Sequence, residues 1–169
     1  MELKSALKEQ YHAGLSNLRE CVEKCSDELW NEVHAERRTW RLAWHTAFFT
    51  HFYMAQTEHD FQRWPGDKRL KSEDYDAPDG YSRKELLDYL LYIDGLVDST
   101  VDGLDLSAPE TGFEWYPDMT KISHELMNLR HVQGHIGQFS ELLMAVEPTE
   151  EITWVAKANT YLDGDYMNP

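Results

Sequence analysis

The sequence predicts an all-α protein, a four-helix bundle with a short C-terminal tail. Three observations carry that reading. Apolar side chains recur at spacings of three and four along four stretches of roughly 20 to 28 residues each, segments containing proline and glycine divide those stretches, and nothing reads as a convincing strand.

The first helix is expected from Leu3 to about Cys25, where Leu3, Leu7, Tyr11, Leu15, Leu18 and Val22 share a face. The second runs from about Arg38 to Arg63 and is expected to stop at Trp64-Pro65-Gly66, because proline disfavours a helical residue before it and glycine loosens the chain. The charged stretch from Asp67 to Tyr81, with Pro78 and Gly80 and no period, reads as a long surface connection. Ser82 opens the third helix. With Glu85 it has the form of a capping box, and Leu86, Leu87, Leu90, Leu91, Ile93, Leu96, Val97 and Val101 continue the pattern to about Gly103. A second loop, Leu104 to Pro117, precedes a fourth helix that begins near Asp118. That helix carries Ile122, Leu126, Leu129, Val132, Ile136, Phe139 and Leu143 to about Val146, with Pro148 as its stop.

From Thr149 the tail holds Ile152, Trp154, Val155 and Tyr161, too apolar for a free end and too short for a domain. It is expected to pack on the bundle or on a neighbouring subunit. The chain therefore reads as one domain, residues 1–169, with the bundle over about 1–146 and the packed tail over 147–169. Antiparallel packing throughout is the simplest arrangement. A connection of about 15 residues nevertheless reaches roughly 50 Å when extended, enough for a crossover that sets two neighbouring helices parallel.

The 169 residues are 41% hydrophobic and 12% aromatic, sufficient for one buried core. Acidic residues number 31 against 16 basic, a net charge of −15 whose field repels phosphate backbones and anionic headgroups. A small molecule is the expected partner, with no nucleic acid and no membrane surface. No run approaches the roughly 18 apolar residues of a membrane span. The start, Met1-Glu2-Leu3-Lys4-Ser5-Ala6, lacks a basic region followed by an apolar block, so a cytoplasmic location is expected. Cys21 and Cys25, four apart on one helix, would close almost no loop as a disulfide and read as reduced thiols.

Histidines carry the chemistry. His131 and His135 are four apart in His131-Val132-Gln133-Gly134-His135-Ile136-Gly137-Gln138, a spacing that stacks two imidazoles on one helix face. A third imidazole would complete a site with an open coordination position, and His45, in an aromatic-rich stretch with Phe48, Phe49 and Phe52 within an arc of about 100°, is the candidate. Gly134 and Gly137 each weaken a helix interior, which suggests close packing of another backbone or a bend beside the pair. His51 lies about 120° round from His45 and is expected to face solvent or an interface, while His59 shares the His45 face but sits about 21 Å farther along. His12, His34 and His124 have no partner at a useful spacing and read as surface or capping residues.

In combining Trp44-His45 with His131-x-x-x-His135-x-Gly137-Gln138, the chain resembles the DinB-like superfamily of metal-binding four-helix bundles over about residues 1–146. The resemblance implies a long crossover between the second and third helices, a homodimer, and one divalent metal ion, nickel or zinc, held by His45, His131 and His135. Members include bacillithiol transferases and mycothiol-dependent maleylpyruvate isomerases, which implies a low-molecular-weight thiol as a co-substrate. It selects no subgroup, and the tail after Val146 matches no family motif.

Three imidazoles leave a divalent ion open positions at which water is acidified, a carbonyl polarised or a thiolate stabilised. Metal-dependent thiol transfer and hydrolysis therefore both stand as expectations, with catalytic residues unknown. A non-catalytic metal-binding or stress-associated bundle acting through self-association or a protein partner is the alternative. A metal-free bundle with hydrogen-bonded core histidines is the plainest reading. Gln138, less than a turn past His135, either supports a ligating histidine or packs on the next helix. Glu141 reads as solvated surface, and Trp64 and Trp115 as pocket walls or core.

Overall fold

Side-chain contacts between four long helices define the topology. The computed structural model describes residues 3–34, 37–70, 80–146, 152–160 and the backbone of 164–166. The helices are α1 (Leu3–Lys24), α2 (Asp27–Asn31), α3 (Thr39–Met54), α4 (Arg83–Gly103) and α5 (Lys121–Val146), with α2 a single short turn between the first two long rods.

Helix α4 runs antiparallel to α1, because Lys8 pairs with Asp102 at 2.7 Å near one end and Arg83 donates to the Cys25 carbonyl at 2.6 Å near the other. Helix α5 runs antiparallel to α3. His131 meets His45, Asn128 donates to the Thr50 carbonyl at 3.1 Å, and Lys121 donates to that of Tyr53 at 3.3 Å. The other two neighbour pairs are parallel. Tyr11 reaches Glu125 and Gly14 abuts Val132 between α1 and α5, while Trp44 stacks on Tyr81 and His51 bonds Tyr89 between α3 and α4. The connection from α3 to α4 thus returns along the bundle, and the wholly antiparallel arrangement does not occur. Residues 71–79 of the expected surface connection, Pro78 among them, lie outside the described residues, as do Pro148, Thr149 and the side chain of Tyr161.

The α1 stripe is buried from Leu7 to Val22, leaving Leu3 exposed at the open end. The Ser82–Glu85 capping box forms as expected, with Glu85 N–H donating to the Ser82 hydroxyl at 3.2 Å and Ser82 N–H to the Glu85 carboxylate at 2.8 Å. The α3 helix is shorter than its periodicity predicts and ends at Met54. There the ammonium of Lys121 takes the carbonyls of Tyr53 and Ala55, and the chain turns to dock on the loop before α5. Gln56 accepts from Asp105 N–H at 2.7 Å and Glu58 N–H donates to the Gly112 carbonyl at 3.2 Å. Gly112 has φ of 71°, and a Cβ there would lie 2.5 Å from Thr57 Cγ2, so both conformation and space demand glycine. Helix α5 starts at Lys121 rather than Asp118.

Two small hairpins fall below the reach of a periodicity reading. β1 (Val33–His34) pairs antiparallel with β2 (Arg37–Arg38), and β3 (Val155–Ala158) with β4 (Gly164–Tyr166). The second lies in the tail, which covers the outer face of α1. Asn17 donates to the Thr153 carbonyl at 2.8 Å, Gln10 to that of Ala156 at 3.0 Å, and Ala13 is buried with Val155 and Ala158. Cys21 and Cys25 are buried thiols, not joined in a disulfide. Burial pushes the Cys21 thiol up to about 12, so it is protonated and unreactive at neutral pH. Among the described residues no helix is long and apolar enough to cross a membrane.

Candidate metal centre

Because α3 and α5 are antiparallel neighbours, one turn of each faces the other where His45, His131 and His135 meet. His131 Nε2 lies 3.3 Å from His45 Nε2 and 3.0 Å from His135 Nε2. One ligand atom from each of the three falls within 4.8 Å of the others, close enough to bind a single metal ion. Three nitrogens held about 2.0–2.1 Å from one ion stand roughly 2.8 to 3.4 Å apart in octahedral or tetrahedral geometry, and 3.0 and 3.3 Å fall in that range.

Protonation fits as well. Burial, with the adjacent imidazoles and the nearby Arg37 and Arg41 adding to it, takes the His45 pKa down to about 3, and burial with the charge of His135 takes His131 down to about 4. Both rings are neutral at pH 7, the form that ligates. His135 Nδ1–H donates to Gln138 Oε1 at 2.7 Å, which turns its Nε2 toward His131 Nε2, 3.0 Å away. Gln138 therefore orients the His135 ring. His131 Nδ1 is buried with no hydrogen-bond partner among the described residues. Phe49 packs against His45 at 4.6 Å and His131 at 6.0 Å between ring centres, walling water from one side.

On its other side His45 opens into a cavity of about 750 Å³. Trp44, Phe48, Phe49, Phe52, Phe61 and Trp115 form its apolar wall, and Arg37, Arg41, Arg63, Arg69 and Asp67 supply its charge. Trp115 is a pocket wall, whereas Trp64 stacks on Tyr89 at 4.8 Å as core. Asp67 accepts from Arg63 at 2.6 Å, from Tyr81 at 2.8 Å and from Arg69 N–H at 3.0 Å. Burial raises its pKa, but these bonds outweigh that and hold the carboxyl below its usual range.

Several sequence expectations are corrected. His51 does not face solvent: it is wedged between α3 and α4, bonded to Tyr89 Oη at 3.0 Å, and burial lowers its pKa to about 4. His12 is not a surface residue either, since α4 brings Asp94 to 2.5 Å and Asp98 to 3.4 Å of its ring. His124 is fully buried among Phe113, Tyr53 and Tyr116, and both its nitrogens lack hydrogen-bond partners among the described residues. His34 lies on β1, and His59 is exposed on a turn of 3-10 helix. Gly134 and Gly137 are not held by close packing, because a Cβ at either would meet no atom of another element within 4 Å among the described residues.

A second buried polar group escaped the periodicity altogether. Lys121, Glu125 and Asn128 occupy the inward face of α5's first turns while Leu126, 55% exposed, points out. Lys121 pairs with Glu125 at 2.7 Å, Tyr11 Oη donates to Glu125 at 2.5 Å, and Asn128 donates to Tyr11 Oη at 3.0 Å. Their positions continue the spacing of Val132, Ile136, Phe139 and Leu143, the one signal that would have found them. The cavity arginines carried no such signal. They come from β2, α3 and the segment after the 3-10 turn, with no common spacing.

No family model, curated protein or solved structure matches the chain.

Proposed function

We propose that the protein binds one divalent metal ion, nickel or zinc, through His45, His131 and His135, and uses it in a small-molecule reaction of the thiol S-transferase type. The observation carrying this is the convergence of three imidazole nitrogens, at 3.0 and 3.3 Å, beside a cavity of about 750 Å³. Lone pairs converging in this way repel one another unless a proton or a cation lies between them. The resemblance to DinB-like bundles supports the same three ligands.

The cavity supports a catalytic reading over a purely structural site, and its lining separates the two chemistries. Hydrolysis requires a general base, yet the carboxylate in the lining, Asp67, is already engaged by Arg63, Tyr81 and the Arg69 backbone. A thiol, with an ordinary pKa of about 8.5 against about 15.7 for water, needs far less help to ionise. The bound ion supplies Lewis acidity that lowers this further. In the transfer the thiol proton passes to solvent, sulfur forms the new bond to an electrophilic carbon, and the leaving group departs with the bonding pair. His45 and Phe49 hold the reacting end at the cavity floor, and the aromatic wall excludes water that would compete.

The first test is elemental analysis of protein purified without a histidine tag and reloaded with nickel or zinc. One ion per chain is expected in the parent and in His59→Ala, and at least a tenfold weaker affinity in His135→Ala. Loss of metal from both variants, or none bound by the parent, overturns the reading. A screen of small thiols against alkylating and conjugate-accepting electrophiles then tests the transfer.

A further inference from the structure

We infer that the cavity next to the triad is a site for an amphipathic carboxylate, a small molecule with an aromatic or similarly flat apolar body and an anionic end gripped by arginine. This deepens the proposed function and rests on it only in placing the reacting end beside His45; the preference for an anion follows from the arginines themselves.

The chain carries 31 acidic and 16 basic residues, so a random surface patch is negative. This cavity reverses the sign, with Arg37, Arg41, Arg63 and Arg69 against the single carboxylate of Asp67 among its described lining residues. Asp67 is saturated by Arg63 at 2.6 Å, and that guanidinium also sits 5.4 Å above the Phe48 ring. Arg37 and Arg69 have no ion pair among the described residues. Local cations in an otherwise anionic protein focus the field on the cavity mouth and draw anions there.

The residue type narrows the ligand further. All four cations are arginine, whose planar fork pairs a carboxylate through two parallel hydrogen bonds, which lysine does not. They are delivered from two separate stretches of the chain, Arg37 with Arg41 and Arg63 with Arg69, and Arg69 is held in the left-handed region at φ 50°, a conformation an arginine adopts at some cost. Its backbone N–H donates to Asp67, so Asp67 shapes the turn that carries the second free guanidinium. The wall beneath is aromatic, with Trp44 stacked on Phe48 at 4.9 Å and Phe49 edge-on to Phe48 at 5.3 Å. Flat π faces below and guanidinium groups at the rim fit a ligand that is apolar at one end and anionic at the other.

The test compares 2-naphthoate with its neutral isostere 2-naphthamide by calorimetry, on metal-free and zinc-loaded protein at low salt. On metal-free protein the carboxylate is expected to bind about tenfold tighter or better, with the margin shrinking as salt is raised. The exposed pair Arg37→Glu and Arg69→Glu together should erase that margin, leave 2-naphthamide binding unchanged and leave zinc stoichiometry at the parent value. Equal affinity for the two probes, or a margin that survives the double substitution, overturns the inference. A margin seen only with zinc and insensitive to the arginines would also overturn it, assigning the anion to the metal while the metal reading stands. A margin on protein that binds no metal would uphold this inference while the proposed function fails.

Discussion

Around Lys121, Glu125 and Asn128, the first turns of α5 bury an ammonium against a carboxylate at 2.7 Å and a tyrosine hydroxyl against the same carboxylate at 2.5 Å. Six residues beyond Glu125, about 9 Å along the same helix, His131 and His135 bring two imidazole nitrogens to a third from His45, nitrogen facing nitrogen. In the first cluster the charges answer one another. Burial pulls Lys121 below and pushes Glu125 above their ordinary values, and mutual attraction opposes both shifts. In the second, burial and the neighbouring imidazoles lower the pKa of His45 and of His131, and no ion pair answers them among the described residues. Complementary burial is a structural device; three convergent imidazoles with no answering charge among the described residues are a candidate binding device. One helix supplies both because their side chains lie on the same inward face at different heights.

The comparison breaks most visibly at Lys121. Replacing it with Met leaves Glu125 buried without its cation and removes the donor to the carbonyls ending α3, a loss expected to reach about 3–5 kcal/mol. Urea unfolding of metal-free protein measures it. The folded fraction should still bind one ion per chain, whereas a cost below about 1 kcal/mol would show that the pair does not hold the helices together.

Gln138 probes the other cluster at smaller scale. Gln138→Ala removes the acceptor that orients His135, and metal affinity should fall about 10- to 100-fold with metal-free stability nearly unchanged. Competition with a chelator reads the first and urea unfolding the second. An unchanged affinity would mean that the imidazole keeps its orientation without help.

His12 offers an intermediate case, a buried imidazole answered by carboxylates rather than by other imidazoles. Burial lowers its pKa, but Asp94 and Asp98 outweigh that and the net shift is upward from 6.5. A folded value above the unfolded one means stabilisation in full below about pH 6.5, lost as pH rises through the folded value. Asp94→Asn should flatten this dependence, with Lys8, paired to Asp102 and near Asp98, the neighbouring cation that remains. Equal slopes in unfolding midpoint between pH 6 and 9 for parent and variant would assign the dependence elsewhere.

What the sequence displays is what a one-dimensional period can hold. The stripe Leu7 to Val22, the Ser82–Glu85 cap and the four-residue histidine spacing each need only the geometry of a single helix, and each is found as expected. His12 and His51 lie buried against expectation for a common reason: a helical wheel assumes one buried face. In this bundle α1 is covered by the tail behind as well as by helices in front, and α3 lies between α4 and α5. Leu126 outside and Glu125 inside invert hydropathy, a choice that makes sense only once Tyr11 and Lys121 are known to meet there. The end of α3 was hidden likewise, because Lys121, which takes its terminal carbonyls, lies 66 residues beyond Ala55.

The smallest effect concerns the face of α5 turned away from both clusters. Gly137 lies inside the helix, exposed, with open space where a Cβ would go. Its backbone needs no glycine there, so Gly137→Ala should stabilise the chain by about 0.5–1 kcal/mol through a more restricted unfolded state, with metal affinity unchanged. Urea unfolding and chelator competition measure both. A loss of stability would carry a different message, because nothing among the described residues meets that position. It would place a second molecule against this face, and the dimer implied by the family resemblance would then be checked by measuring mass in solution for parent and variant. A gain confined to the unfolding midpoint would instead leave the glycine as a helix weakness beside a site whose geometry depends on Gln138 and the three imidazoles alone.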